Sequence, residues 1–459
     1  MSVALSRRAW IAGTAGVALA YGARLEGALR IPAGSELKLP LPAPRRAVDP
    51  SRATDWSDVW PLALTHASLA STLADGSAAY PLLVGPPLVD RADARVATLS
   101  LRPGMTFSNG APVTARAVVE SWRAARASPL GRLALSRLDT MRPFEARGDL
   151  DVGVRLAVGG TLDETLAAWP LAVAAPGAPS APRAGIGPFM ARGTDGSTLV
   201  RNARCPTGAA FLDRVVLDAP RARNDELRAF TTGGLDASWW GNSLYEVSRP
   251  AEAVRGAASV VVGVVPSTGS ALANASAART LEQVLTPLAA GEGSLLGALG
   301  FGPELAPGAA PDLAALVRAV QGREVRIARE ASDGSLNVIA ERLVALLDAA
   351  SVRVMLVGAG EACDATLRAV APLGADPAVA LASLLAAAAS AGGDEAGASA
   401  IVRTATEARA RVAAGVWGRG AVAVLGRAAP VLHVRAGVRD VRFDHAGRAL
   451  LGDAWVSRA

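Results

Sequence analysis

The chain has 459 residues, 51% of them hydrophobic and 19% charged, with 47 glycines and 29 prolines; this is the composition of a globular α/β protein of about two to three domains with many turns. Its net charge of +6 does not mark a nucleic-acid partner, because Lys38 is the only lysine, the arginines are spread along the chain among acids, and no four basic residues run together. With three histidines and two cysteines, none at the spacing of a metal pair on a helix or of a Cys/His zinc site, no metal or cofactor is expected.

The N-terminus, Ser6-Arg7-Arg8-Ala9-Trp10-Ile11, sets an arginine pair before an uncharged stretch over residues 9 to 23. That stretch is shorter than the ~20 apolar residues of a typical membrane span, and Ala18-Leu19-Ala20 offers a small-residue cleavage site. Residues 1–23 therefore read as an export signal. The order Ser-Arg-Arg-x-aromatic-Ile around Arg7 and Arg8 resembles the twin-arginine signal, and an ordinary secretory signal with two arginines is the alternative. No cysteine follows the apolar stretch, so a periplasmic protein, soluble after cleavage, is expected rather than a lipoprotein. Cys205 and Cys363 are expected as free or buried thiols, with a disulfide between them as the alternative.

Beyond the signal, Glu36-Leu-Lys-Leu-Pro40 reads as a first strand. Val96-Ala-Thr-Leu-Ser-Leu-Arg102 alternates as a strand does, and Arg102-Pro-Gly-Met105 and Ser108-Asn-Gly110 are turn sequences. Thr114 can cap a helix whose apolar residues Ala115, Val118, Val119, Trp122 and Ala125 share one face. Ser259 to Val265 is a continuous apolar run, the pattern of a buried strand. Helices are expected over 276–290 and 312–321. A strand at Glu324–Ala328, a helix capped by Ser332 or Asp333 and a strand at Val352–Val357 predict a parallel pair with a right-handed crossover. Two further helices are expected over 378–391 and 398–414.

Several segments together resemble one family. Phe107-Ser-Asn-Gly-Ala-Pro-Val-Thr-Ala115 lies between the strand and the helix just described, and Gly185-Ile-Gly-Pro-Phe189, Leu199-Val-Arg-Asn202 and Leu227-Arg-Ala-Phe-Thr-Thr-Gly-Gly-Leu-Asp-Ala237 follow in order. Later come Cys363-Asp-Ala-Thr-Leu-Arg-Ala-Val370, Gly374-Ala-Asp-Pro377, and a closing Val438-Arg-Asp-Val-Arg-Phe443 with Asp453-Ala-Trp455. This series resembles the family 5 extracytoplasmic solute-binding proteins, the peptide- and nickel-type receptors of ABC importers. The likeness is strong over 95–245 and weaker over 260–430, where the Asp-Arg ending of the family's helix near Ala278 to Ala289 is missing; Ala117 also stands where the family has an aspartate.

The resemblance implies an α/β, two-lobed periplasmic binding protein fold with a hinge and an interlobe cleft. Lobe one would span 34–255, with 421–459 returning to it, and lobe two would span 256–420. A small organic solute, peptide-like among the options, would be trapped between the lobes of a monomer, and an ABC permease in the inner membrane would be the partner. A divergent, ligand-silent structural or signalling protein on the same scaffold is the alternative. An enzyme is not expected: no Gly-x-Ser-x-Gly elbow and no Walker sequence occurs, and Gly358-Ala-Gly-Glu-Ala-Cys363 reads as a turn rather than a dinucleotide loop.

Candidate ligand-binding residues follow from the same likeness. Trp56 and Trp60 lie in the segment matching the family's cleft loop, and Trp239 and Trp240 lie near the expected hinge; each large ring suits a cleft wall, and equally a core. Gly374, Ala375 and Asp376 match the lobe-two loop that faces the ligand, and a helix cap is the plainer role for Asp376 before Pro377. Leu373 stands where peptide-binding members carry the aspartate that pairs with the peptide ammonium, so either the ligand is not a free-amino peptide or another acid, such as Asp376 or Asp364, substitutes.

Overall fold

The computed structural model describes residues 35–42, 49–73, 77–157, 162–177, 182–193, 196–240, 251–257, 259–274, 276–282, 317–318, 320, 322–329, 334–349, 351–358, 361–374, 376–389, 393–417, 422–444 and 446–456. Arg7, Arg8, Ala375, His445, the proposed caps Ser332 and Asp333, and most of the helices expected over 276–290 and 312–321 lie outside them. No helix among the described residues is long and apolar enough to cross a membrane.

Two bodies are built on separate sheets. In the first, the strand Glu36–Pro40 runs parallel to Arg214–Asp218, which continues antiparallel into Thr198–Arg201 and then Phe189–Arg192. The first strand works by alternation: Leu37 and Leu39 are fully buried while Glu36 and Lys38 face outward. A second antiparallel sheet orders Leu88–Val89, Val96–Ser100, Asp151–Arg155 and Phe144–Arg147. The helix Ala115–Ala125 packs on it, and the Thr114 hydroxyl accepts from Ala117 N at 3.2 Å, the cap the sequence predicted. Gly233, at φ 82°, ends the helix Arg223–Thr232 in the left-handed conformation that glycine adopts without a Cβ clash.

The second body is a five-stranded sheet in the order Val354–Val357, Val325–Arg329, Ala365–Val370, Val260–Pro266, Ala423–Ala428. The strand Val260–Pro266 is buried along its whole length, as its unbroken apolar run requires. Val325–Arg329 and Val354–Val357 pair in parallel around the helix Gly334–Ala349, as the sequence predicted. The helix expected over 398–414 is two helices, Glu395–Arg403 and Thr406–Trp417. Thr404 breaks it, with an extended backbone and a hydroxyl that donates to Ala400 O at 2.7 Å.

The bodies are joined by two adjacent crossings. A three-stranded sheet, Ala237–Ser238, Val431–Arg435 and Ala251–Arg255, lies at the junction. Beyond it Gly256 N donates to Pro430 O at 2.9 Å, so the outgoing and returning chains run side by side. The return expected at 421 falls instead within the second sheet: Ala423–Ala428 pairs along Val260–Pro266, and the chain leaves that sheet only after residue 428. The last strands then pack on the first body, where Trp56 Nε1 donates to Gly447 O at 2.8 Å.

Candidate functional site

The two bodies face one another across a boundary rich in charge. Arg368 sits in the middle of the buried strand Ala365–Val370 and is itself only 8% exposed. Its guanidinium donates to Ala387 O at 2.5 Å within its own body, and to Asp55 Oδ1 and Oδ2 of the other body at 3.1 and 3.5 Å. Asp55 is the N-cap residue of the helix Trp56–Ala63, yet its side chain makes no capping bond. The carboxylate that would ordinarily hold the helix N-terminus is spent on the opposite lobe.

A second cluster lies alongside. Arg409, from the helix Thr406–Trp417, is 1% exposed and fully engaged. It donates to both oxygens of Glu164 at 3.1 and 3.0 Å, to Asp376 Oδ2 at 2.9 Å and to Thr404 O at 3.1 Å. Burial lowers its pKa, but the hydrogen bonds to Glu164 and Asp376 outweigh that, and the net direction is upward. Glu164 belongs to the first body and also accepts from Arg137 at 2.6 Å. Trp169 Nε1 donates across the boundary to Ala371 O at 3.2 Å, and at the rim Arg132 donates to Glu395 at 2.5 and 3.0 Å.

The sequence candidates divide into two groups. Trp56, Trp60 and Trp239 come together, but in the core of the first body: their rings meet edge to face, Trp239 lying 5.3 Å from Trp56 and 5.6 Å from Trp60. Each such pair contributes about 0.5–1.5 kcal/mol beyond its buried area. Trp239 is further fixed by Glu226, whose carboxylate accepts from the Trp239 N–H at 2.7 Å, and by Pro40 O, which accepts from its indole at 2.8 Å. Trp240 is half-buried with the Arg223 guanidinium 5.1 Å over its ring. At the boundary itself lie Leu373, Gly374 and Asp376. Leu373 is buried and its N–H donates to Ser383 Oγ at 3.1 Å. A Cβ on Gly374 would come within 4.0 Å of Glu164 across the boundary. Asp376 caps the helix Pro377–Ala387 by accepting from Ala378 N at 2.8 Å, the plainer role its sequence position allowed, and holds Arg409 as well. Sequence reasoning missed Asp55, Glu164, Arg368 and Arg409. Only Arg368 carried a signal, a charge set inside an apolar strand.

Away from the boundary, Arg183 makes a two-pronged bond to the fully buried Asp49 at 2.5 and 2.8 Å, beside His66. Asp49 is shifted down: burial opposes this, but bonds from Arg183 and Ser51 prevail. His66 is pushed down to about 4, chiefly by burial, with Asp49 opposing and Arg183 assisting. A Cβ on Gly185 would sit 2.1 Å from Thr65 O and 2.7 Å from the His66 ring, so the Gly185-Ile-Gly187 turn is glycine-bound because its backbone lies on that imidazole. A cavity of about 250 Å³ opens next to it, toward Ser108 and Asn109 of the Phe107 turn. Among the described residues no group of three His, Cys, Asp or Glu is placed to hold a metal ion, and Cys205 and Cys363 are free thiols.

Two α/β bodies joined by paired crossings, with facing side chains between them, make a two-lobed α/β fold. Residues 57–256 match the family described as bacterial extracellular solute-binding proteins, family 5 middle. Solved structures share the fold over nearly the whole chain. NikA from Staphylococcus aureus, in complex with Ni(L-His)2, is similar at a TM-score of 0.74 and 12% identity, covering 92% of this chain and 100% of that one. Listeria monocytogenes OppA bound to peptide gives 0.72 and 15%, covering 93% and 100%, and the Escherichia coli murein tripeptide binding protein MppA gives 0.74 and 12%, covering 93% and 99%. No curated protein sequence matches the chain.

Proposed function

We propose that the protein is the periplasmic receptor of an ABC importer for a small organic solute, which it takes between its two lobes and presents to an inner-membrane permease as a monomer. The observation that carries this reading is the boundary itself, where Arg368 and Arg409 of one lobe meet Asp55 and Glu164 of the other. The similar structures that hold peptides or a nickel–histidine complex support organic ligands rather than bare ions. In this reading Leu373 and Asp376 line the ligand's amino-terminal end, and Trp56, Trp60 and Trp239 form the wall behind the cleft rather than its surface.

The ligand's charge is testable. Leu373 offers no counter-charge, and Asp376 is engaged by Arg409, so di- and tripeptides with free amino termini are expected to bind weakly or not at all. Leu373→Asp is expected to lower thermal stability without ligand and to gain affinity for free-amino peptides. A thermal-shift and calorimetric screen of peptides against both proteins decides it. Tight binding of free-amino dipeptides to the wild type would show that another acid fills this role.

Export is the second part of the proposal, resting on Arg7 and Arg8 in the N-terminal signal. Changing both to lysine is expected to abolish periplasmic appearance through a twin-arginine route. Unchanged periplasmic yield in fractionated cells would assign the signal to the general secretory route instead. One observation favours a second, ligand-silent reading: the lobes' charges already satisfy one another across the boundary.

A further inference from the structure

We infer that the lobes are latched shut by their own side chains, so that the protein closes without a ligand and a solute enters by displacing an internal ion pair. This rests on the receptor reading of the interlobe boundary and concerns how that same site is regulated.

Three observations carry it. The first is the pair of Arg368 and Asp55, with side chains 9% and 6% exposed. Each is half of a charge pair whose other half lies on the opposite lobe. Separating the lobes returns both to water or leaves both in a poorly solvated wall; closure without them paired would bury two orphan charges. Asp55 forgoes its own helix cap to make this contact, a local sacrifice that only the closed arrangement repays.

The second is Arg409, which holds Glu164 of the first lobe and Asp376 of its own at the same time. The guanidinium fork is matched to the Glu164 carboxylate by two parallel bonds, the geometry that fixes orientation as well as distance. Arg137 neutralises the remaining charge of the cluster from the first lobe.

The third observation is apolar and independent of charge. The helix Pro377–Ala387, of sequence Pro-Ala-Val-Ala-Leu-Ala-Ser-Leu-Leu-Ala-Ala, is buried from Ala378 to Ala387. No single sheet can cover a helix all round. This one is covered by the helices Glu395–Arg403 and Thr406–Trp417 and the strands Val260–Pro266 and Ala365–Val370 of its own lobe, and on its remaining face by the helix Pro129–Leu135 of the other. Opening the lobes would therefore expose the apolar face of this helix that meets Pro129–Leu135, together with the parted charges. Closure is favoured by the chain itself, and a ligand shifts the equilibrium only by what it adds over the contacts it replaces.

Small-angle X-ray scattering of the full mature protein, purified free of ligand by partial unfolding and refolding, tests this. The expected result is a radius of gyration and distance distribution that fit the closed structure, unchanged by added solute. Arg368→Met and Glu164→Gln are each expected to enlarge the radius, and the exchange Asp55→Arg with Arg368→Asp to restore it toward the wild-type value. The Glu164 side chain is 35% exposed, against 9% for Arg368, so Glu164→Gln keeps the test alive if Arg368→Met does not fold. Ligand-free wild-type protein that scatters as an open form, or variants that scatter as the wild type does, would overturn the latch. Calorimetry with the solute screen separates this from the receptor reading. An open free protein that binds a solute leaves the receptor and removes the latch; a closed free protein that opens on Glu164→Gln yet binds nothing leaves the latch and removes the receptor. Where a solute binds, Glu164→Gln is expected to bind it about tenfold tighter or more, because a competent fraction of a few per cent in the wild type reduces apparent affinity in proportion.

Discussion

The two lobes solve the packing problem with different side chains. The first builds its core around large rings: Trp56, Trp60, Trp122, Phe107 and Phe189 are all under 2% exposed. The second, among the described residues, is packed from valine, leucine, isoleucine and alanine, with Trp417 half-buried at one edge. Its closeness is of another kind: a Cβ on Gly263 would meet the Leu384 side chain at 2.5 Å and Ala423 O at 3.0 Å, so Leu384 of the helix Pro377–Ala387 rests directly on the backbone of the strand Val260–Pro266. A core of rings is anchored by a few residues that each carry much of the stability, whereas a core of small residues spreads the same task thinly.

The largest effect is expected from breaking an anchor. Trp56→Ala removes a fully buried ring, its edge contact with Trp239 and the indole bond to Gly447 O that pins the returning C-terminal segment. The expected loss is about 3–5 kcal/mol. Scanning calorimetry checks it and sharpens the comparison. Two transitions, of which only one moves, would show that the lobes unfold separately; a single shifted transition would show that the latch makes them one cooperative unit.

The lobes also differ in the sign of their response to pH. In the first, His66 is neutral in the fold, its pKa pushed down to about 4 from 6.5 mainly by burial. A depressed histidine contributes stability that is complete above its unfolded value and is lost as pH falls from 6.5 through about 4. The contribution is about 3 kcal/mol for a fully buried ring. Glu282 in the second lobe goes the other way: burial raises it to about 8, with Arg279 and the Val424 N–H opposing. A raised carboxyl contributes stability at low pH that is lost as pH rises from 4.5 through about 8. Acid should therefore loosen the first lobe, and a rise in pH from 4.5 through about 8 the second. Hydrogen exchange followed against pH reads each lobe separately, with His66→Gln expected to flatten only the first lobe's loss of protection on acidification and Glu282→Gln only the second lobe's loss as pH rises. Parallel pH profiles in the two lobes would contradict both assignments.

How much was legible in the sequence follows the same division. The Phe107 turn with its Thr114 cap, the Gly233 helix stop and the buried run at Val260 were readable because each depends on local chemistry: a side-chain oxygen, a missing Cβ, an apolar period. The Gly185 turn was readable as a motif, though the reason for its glycine, the backbone lying on the His66 ring, was not. The Trp56 and Trp239 rings drew attention as a possible cleft wall, and their spacing could not tell wall from core. The end of the second sheet at residue 428 escaped notice because Ala423–Ala428 gains its identity from pairing with a strand far back in the chain. The interlobe charges were least visible of all. Asp55 and Arg368 are 313 residues apart, and neither Asp before a helix nor a lone arginine announces a partner at that distance.

The smallest expected effect compares the two helix caps, one in each lobe. Thr114 caps the helix Ala115–Ala125 through a single bond to Ala117 N, and Thr114→Ala is expected to cost about 1 kcal/mol wherever the lobes stand relative to one another. Asp376 caps the helix Pro377–Ala387 and holds Arg409 besides. Asp376→Asn keeps a good capping oxygen and removes the charge, so it isolates the second role. The cap should survive, leaving the stability of the helix itself unchanged, while Arg409 retains Glu164 as its only carboxylate. Because the lost charge belongs to the same lobe as Arg409, the remaining bond across the boundary is expected to strengthen rather than weaken, and chemical denaturation should register a loss smaller than that of Thr114→Ala. A larger loss, with exchange protection falling along the whole helix, would mean that Asp376 stabilises its lobe through charge more than through its cap, and the two helices would then differ in what holds them as sharply as the two cores do.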